Sequence, residues 1–291
     1  MSIRTRSCGI LRATILLFGV ISFCGGAWAH QSSGEREFAP PPGSHLVTIV
    51  AHEYGFSMPD SIPAGLTTFL LKDEGQQEHH MEVVRLDDGK TIADAMAVFA
   101  NPHAPPPKWM HAVGGPNTPM PNEESNATLV LQPGHYVVFC IIPAPDGKPH
   151  VAHGMIRPFT VTPSKAAPAP LPKADMTIAL KDYDFVLSRP ITAGNHVIEV
   201  TNTSTQPHEL VITRFPPGMG NRDLEAWGHD PHGKPAPGYA MGGVTSIPPG
   251  AHVVIQVDFK PGRYGLLCFV PDAKDGKPHF MHGMQTEFVV R

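Results

Sequence analysis

Short apolar runs rich in β-branched residues recur along the chain: HLVTIV (45–50), LTTFLL (66–71), TLVLQ (128–132) and YVVFC (136–140), then HVIEV (196–200), ELVITRF (209–215), VVIQVDF (253–259) and YGLLCF (264–269). In VVIQVDF, Ile255, Val257 and Phe259 share one face while Gln256 and Asp258 share the other, the period-2 signature of a half-buried strand. PAG (63–65), QPG (132–134) and KPG (260–262) punctuate these runs as turns. With 33 prolines and 28 glycines, short strands at close spacing predict an all-β fold built from Greek-key β-sandwiches. A helical period appears in KTIADAMAVFA (90–100), where Ile92, Met96 and Phe99 fall at i, i+4 and i+7. RDLEAWG (222–228) gives a shorter helical signal.

The strand pattern occurs twice. HEYGF (52–56) matches KDYDF (181–185), and QEHHMEVVRL (77–86) matches QPHELVITRF (206–215), both at an offset of 129; QPGHYVVFC (132–140) matches KPGRYGLLC (260–268) at 128. The expected organisation is two tandem domains, 45–162 and 175–291, each long enough to bury a core. They are joined by a Pro/Ala-rich stiff linker over 163–174 and preceded by a disordered lead-in over 30–44.

Charge and the N-terminus change the picture next. Arg4, Arg6 and Arg12 precede an apolar run from Ala13 to Phe23 and a small-residue end, Ala27-Trp28-Ala29, so residues 1–29 read as a secretory signal peptide cleaved after Ala29. Its apolar core is short for a membrane span, and no later run approaches the ~20 residues a spanning helix needs. A periplasmic or secreted product is expected. Without residues 1–29 the 22 basic residues fall by three to 19 against 26 acidic ones, which argues against nucleic acid and anionic lipid as partners.

Two cysteines then remain, Cys140 and Cys268. In an oxidising compartment a disulfide is the default for an even count. Against it, both stand at equivalent positions of the two copies and open the same loop: CIIPAPDGKPHVAHGM (140–155) and CFVPDAKDGKPHFMHGM (268–284) share DGKPH and HGM. Each copy offers an upstream histidine, the cysteine, a loop histidine and a methionine: His79, Cys140, His150 and Met155, then His208, Cys268, His279 and Met284. One thiolate and two imidazoles with a weak axial thioether form the ligand set of a blue copper electron-transfer site. Soft sulfur favours Cu(I), imidazole suits both oxidation states, and a Pro/Gly-rigid loop keeps the ligands in place as the electron moves.

On these motifs the sequence resembles the cupredoxin superfamily, the type 1 blue copper fold, across nearly all of both copies. The resemblance implies two tandem cupredoxin-like domains with two type 1 coppers, one per domain, and electron exchange with a redox partner protein. The long Cys-to-His spacing and the H-x-x-x-G-M ending are similar to the type 1 loop of copper nitrite reductases. His153 and His282 stand too close to the methionines to be preferred over His150 and His279. His80 competes with His79, but the repeat alignment sets His79 on His208 and His80 on Glu209. The family often carries Asn directly after the upstream histidine, and His80 and Glu209 depart from that.

Other readings stay open. Copper carriage or buffering would use the same ligands, and zinc also takes His2Cys sets. An oxidase or nitrite reductase of the families resembled would relay electrons through a histidine next to the copper cysteine and gather more ligands in H-x-H pairs. Here Phe139 and Ile141 flank Cys140, Leu267 and Phe269 flank Cys268, and no H-x-H occurs. No enzymatic activity is therefore expected. Five further loop histidines (His30, His103, His111, His229 and His232) and the methionines of the inserts read as solvated or filler residues.

Overall fold

The computed structural model describes residues 38–100, 106–166, 169–229 and 236–291. The predicted signal peptide, most of the lead-in, and His30, His103 and His232 lie outside the described residues.

The first copy supplies β1 (His45–His52), β2 (Gly55–Ser57), β3 (Ser61–Pro63), β4 (Gly65–Asp73), β5 (Glu82–Leu86), α1 (Ile92–Phe99), β6 (Met110–Ala112), β7 (Glu124–Leu131), β8 (Gly134–Phe139) and β9 (Ile156–Thr162). The second supplies β10 (Met176–Lys181), β11 (Asp184–Leu187), β12 (Gly194–Asn202), β13 (His208–Phe215), α2 (Asn221–His229), β14 (Tyr239–Ile247), β15 (His252–Phe259), β16 (Gly262–Leu267) and β17 (Gln285–Val290). All eight predicted runs lie on strands. The alternation read from VVIQVDF holds for Ile255, Val257 and Phe259, which are buried, and for Asp258, which is exposed. Val254 is buried as well, because its strand is covered by a neighbour at Thr128 of β7.

Three sheets form: β11-β10-β12-β15-β7-β4-β1-β2, β3-β9-β8-β5-β6 and β14-β13-β16-β17. The duplication is visible in the registers. Val83 pairs with Val138 between β5 and β8, and the equivalent Ile212 pairs with Leu266 between β13 and β16. Each Pro-Gly turn is closed by a buried tyrosine whose hydroxyl donates back four residues: Tyr136 to the Gln132 carbonyl at 2.7 Å, and Tyr264 to that of Lys260 at 2.8 Å.

Strands of both copies share the long sheet through β7 and β15, and residues 40–291 form one unit. A single apolar cluster draws Val47, Phe69 and Tyr136 from the first copy and Ile178, Leu210 and Phe259 from the second. The helices cap the outer faces of the two smaller sheets. α1 begins with a reciprocal capping box between Thr91 and Asp94 and turns Ala95 onto Val84 and Val137, while α2 sets Leu224 against Phe215 and Leu267.

The copies are also joined by a seam the sequence did not predict. Residues 113–120 of the first copy run along β14, with bridges Pro116 to Val244 and Pro119 to Met241. The Asn117 amide donates to the Gly243 carbonyl at 3.2 Å, and the Thr245 amide donates to that of Gly115 at 2.9 Å. β14 escaped prediction because Gly242 and Gly243 interrupt its apolar alternation. Gly243 has φ +124°, and a Cβ there would overlap the Leu210 carbonyl oxygen of β13. Gly243→Ala is therefore expected to destabilise the protein by roughly 2–3 kcal/mol, read as a lower urea midpoint in the metal-free protein. An unchanged midpoint would mean the seam has slack that this geometry lacks.

Candidate metal centres

At one end of each small sheet a strand delivers a cysteine into a loop. Cys140 follows β8 and Cys268 follows β16; both thiols are fully buried and neither forms a disulfide. The loops fold back by main-chain hydrogen bonds. In the first, the His150 amide donates to the Ile142 carbonyl (2.9 Å), Val151 to Cys140 (2.7 Å) and Met155 to His150 (3.1 Å). In the second, His279 donates to Val270 (2.9 Å), Phe280 to Cys268 (2.9 Å) and Met284 to His279 (3.1 Å). The loop histidines open 3-10 turns, His150–His153 and His279–His282, each ended by the glycine of HGM at φ 98° and 99°. This left-handed C-cap is why the motif carries glycine there.

Three donor atoms meet at each loop. In the first cluster the Nδ1 atoms of His79 and His150 are 3.0 Å apart, and Cys140 Sγ is 3.4 Å from His150 Nδ1. In the second, the Nδ1 atoms of His208 and His279 are 2.9 Å apart, and Cys268 Sγ lies 3.3 Å from His279 Nδ1 and 3.8 Å from His208 Nδ1. The point equidistant from these three atoms is about 2.0 Å from each, the length of a metal–nitrogen bond and slightly short of a metal–sulfur bond. The ring nitrogens face each other, so only one proton can sit between them; a cation satisfies both lone pairs. Met155 and Met284 are fully buried next to these loops, and the Cys140 and Cys268 amides donate to their carbonyls at 3.2 and 3.3 Å.

Two of the four outer ring nitrogens are hydrogen-bonded to oxygen, the arrangement that fixes the tautomer of a metal-binding imidazole. His150 Nε2 meets Gln77 Oε1 at 3.2 Å and His208 Nε2 meets Asp182 Oδ1 at 3.1 Å. His79 Nε2 is 3.8 Å from Glu53, and His279 Nε2 is 3.7 Å from Asp272. The copies differ in these contacts. Asp272 takes the Gln206 side-chain amide and the Tyr183 hydroxyl, whereas Ala144 stands at its counterpart and leaves Gln77 free to meet the histidine directly.

Burial sets the protonation of both clusters. It pushes the Cys140 thiol up to about 12 and that of Cys268 well above its ordinary value. It holds His79, His150 and His279 down at about 4 and lowers His208, whose Asp182 partner opposes the shift. At neutral pH the donors are therefore neutral imidazoles and protonated thiols.

The other candidates are placed apart. His153 and His282 turn outward to Asp146 (3.0 Å) and Asp275 (3.2 Å), stapling their loops. His80 is buried without a hydrogen-bond partner at Nδ1 and stands outside the donor triangle. His111 pairs with Asp87 at 2.8 Å on the surface. Sequence reasoning missed Glu53, Tyr54, Gln77 and their counterparts Asp182, Tyr183 and Gln206. Tyr54 and Tyr183 adopt φ 64° and 67°, and their rings lie against His150 and His153, and against His279 and His282. The signal was present, since HEYGF/KDYDF and the leading glutamine of QEHH/QPHE repeat in both copies.

No protein-family model and no curated protein matches the chain. Among solved structures it is similar to the dithionite-reduced auracyanin of Roseiflexus castenholzii, at 24% identity and a TM-score of 0.30 over 42% of this chain and 100% of that chain. It is also similar to a multicopper oxidase, at 14% and 0.27 over 88% and 93%, and to the copper nitrite reductase of Nitrosomonas europaea, at 14% and 0.25 over 85% and 94%. Scores this low bear on no functional question, which rests on the clusters themselves. The chain is mostly strand-built and brings one His-Cys-His cluster together in each copy.

Proposed function

We propose that the chain is an exported protein holding one copper ion in each cluster and passing single electrons between partner proteins. In this reading 45–162 and 175–291 are two cupredoxin-like Greek-key sandwiches sharing one sheet, and the ligands are His79, Cys140, His150 and Met155 with His208, Cys268, His279 and Met284. The observation that carries it is the convergence of Cys268 Sγ with two Nδ1 atoms on a point about 2.0 Å from each, repeated in outline at Cys140. Bound copper supplies reversible one-electron exchange.

The protein's own residues supply the rest. Buried imidazoles stay neutral and hold their lone pairs inward, while Gln77 and Asp182 anchor the opposite nitrogens. Full burial of Cys140, His150, Cys268 and His279 excludes water. That closure, with a buried methionine held to each cysteine by a main-chain hydrogen bond, favours copper over catalytic zinc, which keeps an open water position. The redox partner is expected to present basic or apolar surface to this net acidic chain. Among the described residues no helix is long and apolar enough to cross a membrane.

The test is metal analysis with absorption spectroscopy of the copper-loaded protein through cycles of reduction and reoxidation. Two coppers per chain and an intense thiolate-to-copper band that bleaches and returns are expected. A protein that holds only Cu(I), shows no such band and yields its metal to a chelator is instead a copper carrier.

A further inference from the structure

Between the two clusters lies a chain of hydrogen bonds running through the seam. On the first side the His80 main chain lies beside the Cys140 thiol and favours its ionised form. One residue on, the Met81 amide donates to the Pro116 carbonyl at 3.1 Å. Pro116 is bonded to Asn117, whose side chain is 2% exposed and whose Nδ2 has three acceptors at 3.3 Å: Glu209 Oε2, Leu210 O and Val244 O. On the far side the Glu209 amide donates to Cys268 Sγ at 3.4 Å. From Met81 to the Cys268 sulfur the route runs through three hydrogen bonds and the covalent pieces Pro116–Asn117 and Glu209, and His80 closes it beside the Cys140 thiol.

The neighbours of the route fix its parts. Asn117 Oδ1 accepts from the Thr118 amide at 2.8 Å, which orients the side-chain amide so that Nδ2 faces the second copy. Thr245 Oγ1 lies 3.3 Å from both the Met81 and Gly115 carbonyls and ties the arm of the first cluster to β14. The seam buries an amide whose two hydrogens face three acceptors, all of them in the second copy.

We infer that Asn117 bridges a hydrogen-bonded route for single electrons between the two clusters, so that the copies act as one two-electron unit filled from either end. The inference rests on the copper reading above. In each transfer one electron leaves the reduced ion of one cluster, which passes from +1 to +2, and reduces the +2 ion of the other. No bond forms or breaks and no proton moves. The first electron comes from an external one-electron donor, a small redox protein in the reading above.

The test uses the full-length, copper-loaded chain with Met155→Gln, which marks the first cluster by shifting its band and potential through the axial position. After a pulse of a flavin semiquinone as reductant, the two bands are expected to exchange intensity in a first-order phase independent of protein concentration. Asn117→Ala in the same background should slow that phase by roughly ten-fold or more while leaving both bands and both potentials in place. Asn117→Leu, close in volume, serves if the alanine variant does not fold. In the metal-free protein the His80 and Glu209 amides are expected to be protected from hydrogen exchange.

Three results overturn the route: no first-order phase although both bands are present, a phase unchanged by the Asn117 substitutions, or His80 and Glu209 amides exchanging at solvent rates. A chain that takes up copper without developing either band instead sinks the copper reading on which the route depends.

Discussion

Cys140→Ser in the copper-loaded protein is expected to remove about half of the thiolate-to-copper absorption, and Cys140→Ser with Cys268→Ser all of it. Each cluster has a single sulfur anion donor, and a serine hydroxyl is a harder ligand that stays protonated and gives no such band. The substitution leaves the fold in place, because the loops are held by main-chain bonds such as Val151 N to Cys140 O at 2.7 Å and Phe280 N to Cys268 O at 2.9 Å. A far-UV spectrum unchanged by the substitution separates loss of ligand from loss of structure. If the doubly substituted protein kept its colour, neither cysteine would be a ligand and both centres would be wrongly placed.

The second large effect concerns pH. In the metal-free protein burial holds the Cys140 thiol at about 12, so a thiol proton must leave when a cation binds. Copper affinity should therefore fall about ten-fold for each unit the pH is lowered, one proton per site, across the whole range from neutrality down to about 5. His79, His150 and His279, held near 4, remain neutral through that range and add no protons. Near pH 4 and below they begin to protonate, and the dependence should steepen as His79 and His150 at the first site and His279 at the second take up further protons. Raising the pH works in the opposite sense and keeps strengthening binding beyond 9, where an ordinary thiol would already be ionised. Competition against a chelator of known proton dependence measures the slope. An affinity flat between pH 5 and 8 would show that the sulfur is already ionised without metal, or is not a ligand.

Much of the architecture was readable because duplication doubles every signal. A single run such as HVIEV is ambiguous, but its place in a second copy at fixed offset, together with the Pro-Gly turns, marks it as a strand. The donors were readable for the same reason: His79 was preferred to His80 only because the repeat places it on His208, and the three donors of each cluster meet in space. Residues holding those donors from behind were also doubled, in HEYGF and KDYDF, yet their chemistry is ordinary and nothing local marks Glu53 or Tyr54 as facing a histidine.

What the sequence determines by itself is therefore local and periodic: strand alternation, the turns, the left-handed glycine of HGM, and a sulfur and imidazoles on one rigid loop. Tertiary structure alone decides what lies between the copies. Around Asn117 and β14 the copies match only over AVGG (112–115) and AMGG (240–243), and the paired glycines erase the alternation that would have announced a strand. The seam forms because unpaired main-chain groups of residues 113–120 and β14 satisfy one another, a pairing set by long-range proximity that no local pattern encodes.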